Sequence, residues 1–236
     1  MSGEILTYEI AGFGVRMAAS GRTLRQAEPY RSDSVRVDFE VRGFAEALRA
    51  KAPYLSEEDA EYISGGSDFF RKIIPRGAMV LHACAVLADG EAYLFSGRSG
   101  VGKTTHAGLW EKYLGEGRVR VLNDDKPVLR FESGGVTACG TPWCGSAGIS
   151  INAAAPVRGI CFLRQGPRNV IRPLSGAEAV HAILGQTLRD VDAADMGYIL
   201  DMTERLIAGV PLYELECLPD RAAARLSWET MRRMRR

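Results

Sequence analysis

The sequence predicts an α/β fold, with helices packed on a sheet-rich core and a small β region ahead of it. Three observations carry this prediction. Short apolar runs bounded by turn residues recur through the middle of the 236-residue chain. Stretches with helical spacing alternate with them, and the first forty-odd residues instead show period-two alternation.

Taken in order, Ile5, Thr7 and Glu9 alternate in the manner of a strand, and so do Val35, Val37, Phe39 and Val41, with a polar interval from Gly21 to Ser34 between them. Residues 1–43 are therefore read as a small N-terminal β region. The pattern then turns helical at Phe44, Ala45, Leu48 and Ala52, and Ser56 before Glu57, Glu58 and Asp59 is an N-cap followed by acidic residues that suit the positive end of a helix. Two helices joined at Pro53 are expected. Met79 to Leu87 is apolar enough for a buried strand, Asp89-Gly90 is a hairpin turn signal, and Glu91 to Ser96 forms the returning strand. After Lys103 the positions Ala107, Trp110 and Leu114 share one helical stripe that Gly115 ends. Strands are expected at Val119–Leu122, Val128–Phe131, Val136–Cys139, Val157–Leu163 and Pro211–Leu218. Helices are expected at Gly176–Leu188, Ala193–Ala208 and Arg221–Met234.

Composition narrows the function classes. With 30 Lys+Arg against 29 Asp+Glu, no global field steers the chain toward nucleic acid or an anionic membrane, so neither is expected as a partner. No apolar run is long enough to span a bilayer. Glu4, Glu9 and Arg16 interrupt any secretory pattern, and a cytoplasmic location is expected. Five cysteines, Cys84, Cys139, Cys144, Cys161 and Cys217, form an odd set without a CxxC pair, which suits reduced thiols better than disulfides or zinc.

The chemistry lies in Gly97-Arg98-Ser99-Gly100-Val101-Gly102-Lys103-Thr104, which fits the pattern GxxxxGK[ST] of the phosphate-binding loop. Its glycines permit positive φ, successive backbone N–H groups form an anion nest, and the following helix aims its positive end at a phosphate. Lys103, expected to face solvent, would contact the β- and γ-phosphates of ATP, and the Thr104 hydroxyl would ligate Mg²⁺. The nucleotide is expected over Gly97 to Thr105. Downstream, Val119 to Leu122 leads through Asn123 into Asp124-Asp125, a strand delivering two adjacent carboxylates. One can hold the metal or its water and the other can accept a hydroxyl proton.

In this order of features the chain resembles the catalytic domain of HPr kinase/phosphorylase, a P-loop relative of phosphoenolpyruvate carboxykinase. The matching residues are Leu81-His82-Ala83-Cys84-Ala85-Val86, then Ser96 to Thr104, then Leu122-Asn123-Asp124-Asp125. The resemblance implies one HPr-kinase-like domain over 1–236 with a P-loop kinase core over 77–236. It implies Asp124 as general base, Asp125 as a metal-side carboxylate and His82 as a residue near the transferred phosphate. Thr104-Thr105-His106 stands where the bifunctional enzymes usually continue Ser-Glu, so the phosphorylase half is not expected. The segment Gly140-Thr141-Pro142-Trp143-Cys144-Gly145 looks more like the compact HPr-kinase-like proteins of peptide maturation clusters, lasso-peptide kinases among them. The activity implied is Mg²⁺- and ATP-dependent phosphorylation of a hydroxyl, Ser foremost, on a small protein or peptide. A small-molecule kinase and a nucleotide-responsive binding module are the alternatives.

Several residues keep two readings. Trp143 is either an aromatic platform or a core plug, and it is expected to border the same cleft as the loop. Arg158 is a phosphate clamp or a surface arginine, and His106 packs or is solvated rather than acting catalytically. Arg232, Arg233, Arg235 and Arg236 form a basic end that suits a helix C-terminus.

Overall fold

A computed structural model describes residues 4–115, 117–188 and 190–233. Strands β1 (Glu4–Ile10) and β2 (Phe13–Ala19) form an antiparallel hairpin, and β3 (Phe39–Val41) lies parallel to β2. The turn is Ala11-Gly12, both at positive φ. Between the hairpin and β3, the polar interval holds a helix, α1 (Gly21–Ala27). The expected strand Val35–Val41 is shortened to three residues. The Arg36 carbonyl crosses directly over Gly14, where a Cβ would sit 1.8 Å from it, and Asp38 bonds Gly14 through its backbone N–H and its carboxylate instead of extending the ladder.

Helices α2 (Ala45–Lys51) and α3 (Glu57–Ile73) follow as expected, with Ser56 Oγ accepting the Asp59 N–H at 3.0 Å. The expected strand Met79–Leu87 is two strands, β4 (Ala78–Val80) and β5 (Ala83–Ala88), broken at Leu81-His82 because the backbone N–H groups there bond Pro127 and Gln186 outside the ladder. Next come β6 (Glu91–Ser96), α4 (Lys103–Leu114), β7 (Val119–Asn123), β8 (Val128–Glu132), β9 (Gly135–Cys139) and a long β10 (Ala154–Gln165). After them β11 (Val170–Pro173), absent from the sequence reading, leads to α5 (Gly176–Leu184), α6 (Ala193–Gly209), β12 (Leu212–Cys217) and α7 (Arg221–Arg233). Helix α5 stops four residues before the expected Leu188, in a turn at Gly185-Gln186. Met234, Arg235 and Arg236 lie outside the described residues.

The architecture is mixed α/β with a curled sheet. Its strand order is β4-β8-β9-β10-β6-β5-β7, and β12 pairs with both β10 and β11. The curl comes from β10, whose first residues pair antiparallel with β9 while its later ones lie parallel to β6 and β12. One sheet face buries Leu94, Ile160 and Phe162 with Ile183, Ile199 and Leu206 of α5 and α6. The other receives α4 and α7, where the Tyr93, Phe95 and Trp228 rings surround Trp110 at centroid distances of 5.0, 5.0 and 5.2 Å. These edge-on and tilted contacts suit the ring quadrupoles.

Strand β5 runs antiparallel to both its neighbours, β6 and β7. Its start therefore lies beside the ends of both, with Ala83 opposite Ser96 and Ala85 opposite Asn123. The residues just outside those ends, His82, Gly97 and Asp124, are consequently brought to the same end of these strands.

His106 belongs to the packed layer. It is 3% exposed, lies edge-on to Phe95 and has Nε2 2.9 Å from Ser227 Oγ. Burial pushes its pKa down from 6.5 to about 4. A depressed histidine contributes stability that is complete above its unfolded pKa and is lost as pH falls through the folded one. Stability should therefore decline between about pH 6.5 and pH 4, and His106→Gln should flatten that limb. Urea midpoints measured across the window for both proteins test this, and parallel curves would contradict it.

Candidate active site

The loop after β6 is shaped by its glycines. Gly97, Gly100 and Gly102 have φ of 138, 77 and 107°, a region that other residues enter only with strain. Helix α4 then begins at Lys103 with no side chain capping its first turn. The amides of Lys103, Thr104 and Thr105 have no acceptor within the helix, and they sit at the positive end of its dipole. A cleft of about 510 Å³ opens in front of them. The loop contributes Ser99, Gly100, Gly102, Lys103, Thr104 and Thr105 to it, and His82, Asp124 and Asp125 face them.

Three loop residues do not line this cleft. Gly97 packs under the Leu163 carbonyl, and Val101 packs against the core beneath α4. Arg98 is exposed toward a neighbouring cavity that also includes Arg164 and Glu214. Lys103 corrects the expectation of a solvent-facing side chain. It is 8% exposed, and Nζ donates to the carbonyls of Gly97 and Arg98 at 3.2 and 3.4 Å. Burial lowers its pKa, opposed by the charge of Asp125.

The two carboxylates leave β7 through a turn made by Asn123. Its Oδ1 accepts the backbone N–H of Asp125 at 2.9 Å and of Lys126 at 2.6 Å, and its Nδ2 donates to the carbonyls of Thr141 and Trp143 at 3.0 and 3.2 Å. The segment Gly140–Gly145 is thereby wrapped around the turn. Gly140 has to be glycine, since a Cβ there would lie 2.0 Å from the Ile151 carbonyl. At the segment's far end the Gly145 N–H donates to Asp124 Oδ1 at 2.6 Å.

These surroundings push the carboxyl groups apart. Burial raises Asp124 above the ordinary carboxylate range, and the neighbouring charge of Asp125 adds to this against the Gly145 hydrogen bond. Burial also raises Asp125, but the His82 hydrogen bond and the Lys126 ammonium outweigh it and hold this carboxyl below that range. His82 and Lys126 both contact Oδ1 of Asp125, at 3.1 and 3.4 Å. The His82 ring is fixed on its other side by Gln186 Oε1, 3.0 Å from Nδ1, and its backbone N–H donates to the Gln186 carbonyl at 2.7 Å. His82 thus points into the cleft rather than the core.

Trp143 does not reach the glycine-loop cleft. Its ring is buried, stacked on Phe69 at 4.8 Å, with Nε1 donating to the Tyr62 carbonyl at 3.1 Å, and it walls an adjoining apolar cavity. Arg158 lies away from the site and donates to the Arg232 carbonyl at the end of α7 at 2.9 Å. In the basic end, Arg233 pairs with Glu229 at 3.8 Å, while Arg235 and Arg236 are outside the described residues. All five cysteines are free, and burial pushes Cys139 and Cys144 up to about 11.

Sequence reasoning missed Asn123 as the organiser of the turn, together with Gly145, Lys126 and Gln186. Asn123 had a signal, since an Asn at a strand exit bonds the backbone two residues on. Gly185 after α5 was the corresponding signal for a turn at Gln186.

No protein-family model and no curated protein match the chain. Among solved structures it is similar to the Hpr(Ser) kinase/phosphatase from Coxiella burnetii. The two share 16% identity at a TM-score of 0.36, over 65% of this chain and 88% of that one. A likeness that distant assigns no role to any residue here.

The raised pKa of Asp124 has a consequence for stability. A carboxyl whose folded pKa exceeds the unfolded value of 3.8 costs stability once ionised, and the cost vanishes below that value. Asp124→Asn, which can still accept from Gly145, should be at least as stable as the wild type at pH 7. Its advantage should shrink as the pH approaches 3.8. Thermal melts at both ends of the range test this, and a variant clearly less stable at pH 7 would contradict it.

Proposed function

We propose that this chain is a kinase that transfers the γ-phosphoryl group of Mg²⁺-ATP to a hydroxyl, Ser foremost, on a small protein or peptide. One observation carries the reading. A glycine loop leading into an uncapped helix N-terminus shares a cleft with two carboxylates whose proton affinities are set apart. An anion nest without carboxylates binds phosphate, whereas paired carboxylates of unequal pKa beside one can also move a proton.

The residues fit the groups this chemistry needs. The amides at the start of α4 and Lys103 would hold the β- and γ-phosphates, with Lys103 exchanging its two loop carbonyls for phosphate oxygens. Among the described residues no group of three or more His, Cys, Asp or Glu could hold a metal unaided, which suits a cation that arrives on the nucleotide. Thr104 and Asp125 would contact it, since the His82 and Lys126 contacts of Asp125 fall on Oδ1 and leave Oδ2. Mg²⁺ held there would neutralise charge on the transferring group.

Asp124 acts as the base in this reading. The acceptor oxygen bonds to the γ-phosphorus as the bond from that phosphorus to the β-phosphate oxygen breaks. The hydroxyl proton passes to Asp124, leaving ADP and a phosphoester. A raised pKa makes Asp124 a better proton acceptor than an ordinary carboxylate. His82, held by Gln186 and Asp125, borders the transferring group and fixes the direction of Asp125.

Two variants test the assignment. Lys103→Met, which keeps the aliphatic stem in its buried site, should weaken Mg²⁺-ADP binding about tenfold or more in calorimetry while its melting curve stays cooperative. Asp124→Asn should lose about two to four orders of magnitude in transfer rate with nucleotide affinity changed far less. Unchanged binding in the first would reject the phosphate role of the loop. Near wild-type transfer in the second would reject Asp124 as base, and loss in Asp125→Asn alone would move that role to Asp125.

A further inference from the structure

A second cavity of about 350 Å³ meets the phosphate-loop cleft at His82 and Asp125, which line both. Away from that junction its walls are mostly apolar, formed by Tyr62, Phe70, Trp143 and Leu188, with the hydroxyls of Ser67 and Thr187 also on the lining and that of Thr187 already donating to the Val80 carbonyl at 2.8 Å. The walls are fixed by their own contacts. Tyr62 Oη accepts the Cys144 N–H at 2.6 Å, and Trp143 packs on α3 against the Phe69 and Phe70 rings. Gly66 permits this approach of α3, because a Cβ there would stand 2.7 Å from the Trp143 ring. The mouth continues onto the surface at Ile63, which lines the cavity while remaining 44% exposed.

We propose that this cavity is the acceptor pocket, and that it selects a peptide in which the accepting Ser stands beside a bulky apolar residue. The inference rests on the kinase reading above. The segregation of the walls argues for it. Polar groups concentrate at the end shared with the cleft, where Gln186 and Lys126 join His82 and Asp125 and a hydroxyl is served, while the large side chains of the other walls are apolar and would leave most further hydroxyls of a polyol or sugar without partners. A peptide separates the two chemistries, with the Ser oxygen passing His82 and Asp125 toward the loop and the neighbouring side chain filling the apolar end. The exposed apolar rim at Ile63 suits a chain that runs on past the pocket rather than a molecule contained in it.

The test uses short peptides with one Ser flanked by Leu or Phe, matched peptides flanked by Ala or Asp, and glycerol as a polyol. Non-transferable versions with Ala in place of Ser allow binding to be measured apart from turnover. With Mg²⁺-ADP present, the Leu- or Phe-flanked peptide should bind about tenfold or more tighter than the Ala-flanked one, the scale for burying one such side chain. Ser67→Phe, placed on α3 at the cavity wall and outside the nucleotide cleft, should abolish that preference and leave Mg²⁺-ADP affinity unchanged. Ile63→Lys at the exposed rim provides a second variant that spares the core and should weaken the same peptide. Equal binding of all peptides, or a preference that survives both variants, would overturn the pocket assignment while leaving the kinase reading intact. Phosphorylation of glycerol in preference to every peptide would do the same. Failure of the wild type to bind Mg²⁺-ADP would instead remove the kinase reading, and this inference with it.

Discussion

The buried amide of Asn123 is the constraint on which the rest of the site depends. Fully enclosed, it receives two backbone N–H groups through its carbonyl and donates to two backbone carbonyls through its nitrogen. An amide so placed has little freedom, since each bond it dropped would leave a buried polar group unpaired at a cost of about 1–3 kcal/mol. Two chain segments far apart in sequence are consequently locked together, the Asp124-Asp125 turn on one side and Gly140–Gly145 on the other. Thr141 closes the same knot by donating to the Lys126 carbonyl at 2.9 Å. The direction of Asp124, set by the Gly145 N–H, is inherited from this arrangement.

Topology supplies the other half of the placement. Because β5 is antiparallel to β6 and β7, its start lies beside the ends of both, and the glycine loop, the carboxylates and His82 need no long excursions to meet. The N-terminal region braces the assembly from behind. Arg22 of α1 lies over the Tyr62 ring at 3.8 Å and donates to the Cys144 and Gly145 carbonyls at 3.2 and 3.4 Å. Tyr30 Oη is 2.6 Å from Ser150 Oγ, which donates to the Thr141 carbonyl at 2.7 Å. The N-terminal β region is therefore continuous with the packing around the carboxylates, and its Tyr8, Val15 and Phe39 share a cluster with Trp143 and Val128.

The loop and carboxylates were legible because they are local. A glycine loop between a strand and a helix, and a strand ending in Asp-Asp, are patterns over a few neighbouring residues, and the structure brings both into one cleft. Most strands and helices of the core were legible for the same reason, through hydrophobic period and turn residues. What escaped was set by distant partners. The break at Leu81-His82 is made by Pro127 and Gln186, and nothing in the apolar run Met79–Leu87 marks it. Lys103 was expected in solvent because a loop lysine ordinarily is, yet its own loop carbonyls and the packed α4 enclose it. Trp143 lies beyond the glycine-loop cleft because Gly66 admits its ring against α3, a contact between residues 77 positions apart.

Burial acts on Lys103 and Asp124 in opposite senses but to the same effect, lowering the one pKa and raising the other, so both groups are pressed toward their neutral forms. Asp125 escapes through His82 and Lys126 and stays the firmly ionised member. The cleft is thus electrostatically unsettled in its own right, with an ammonium and a carboxylate each short of the partner that would favour its charge. In the kinase reading, a phosphate anion against Lys103 would supply one such partner and favour the ammonium. In the same reading a hydroxyl giving up its proton would supply the other, since protonation would relieve Asp124 of the charge that burial penalises. In the proposed kinase the burial that presses these residues toward neutrality is therefore the property that would suit them to an anion and a proton, while the surrounding apolar layers supply stability that such a site does not.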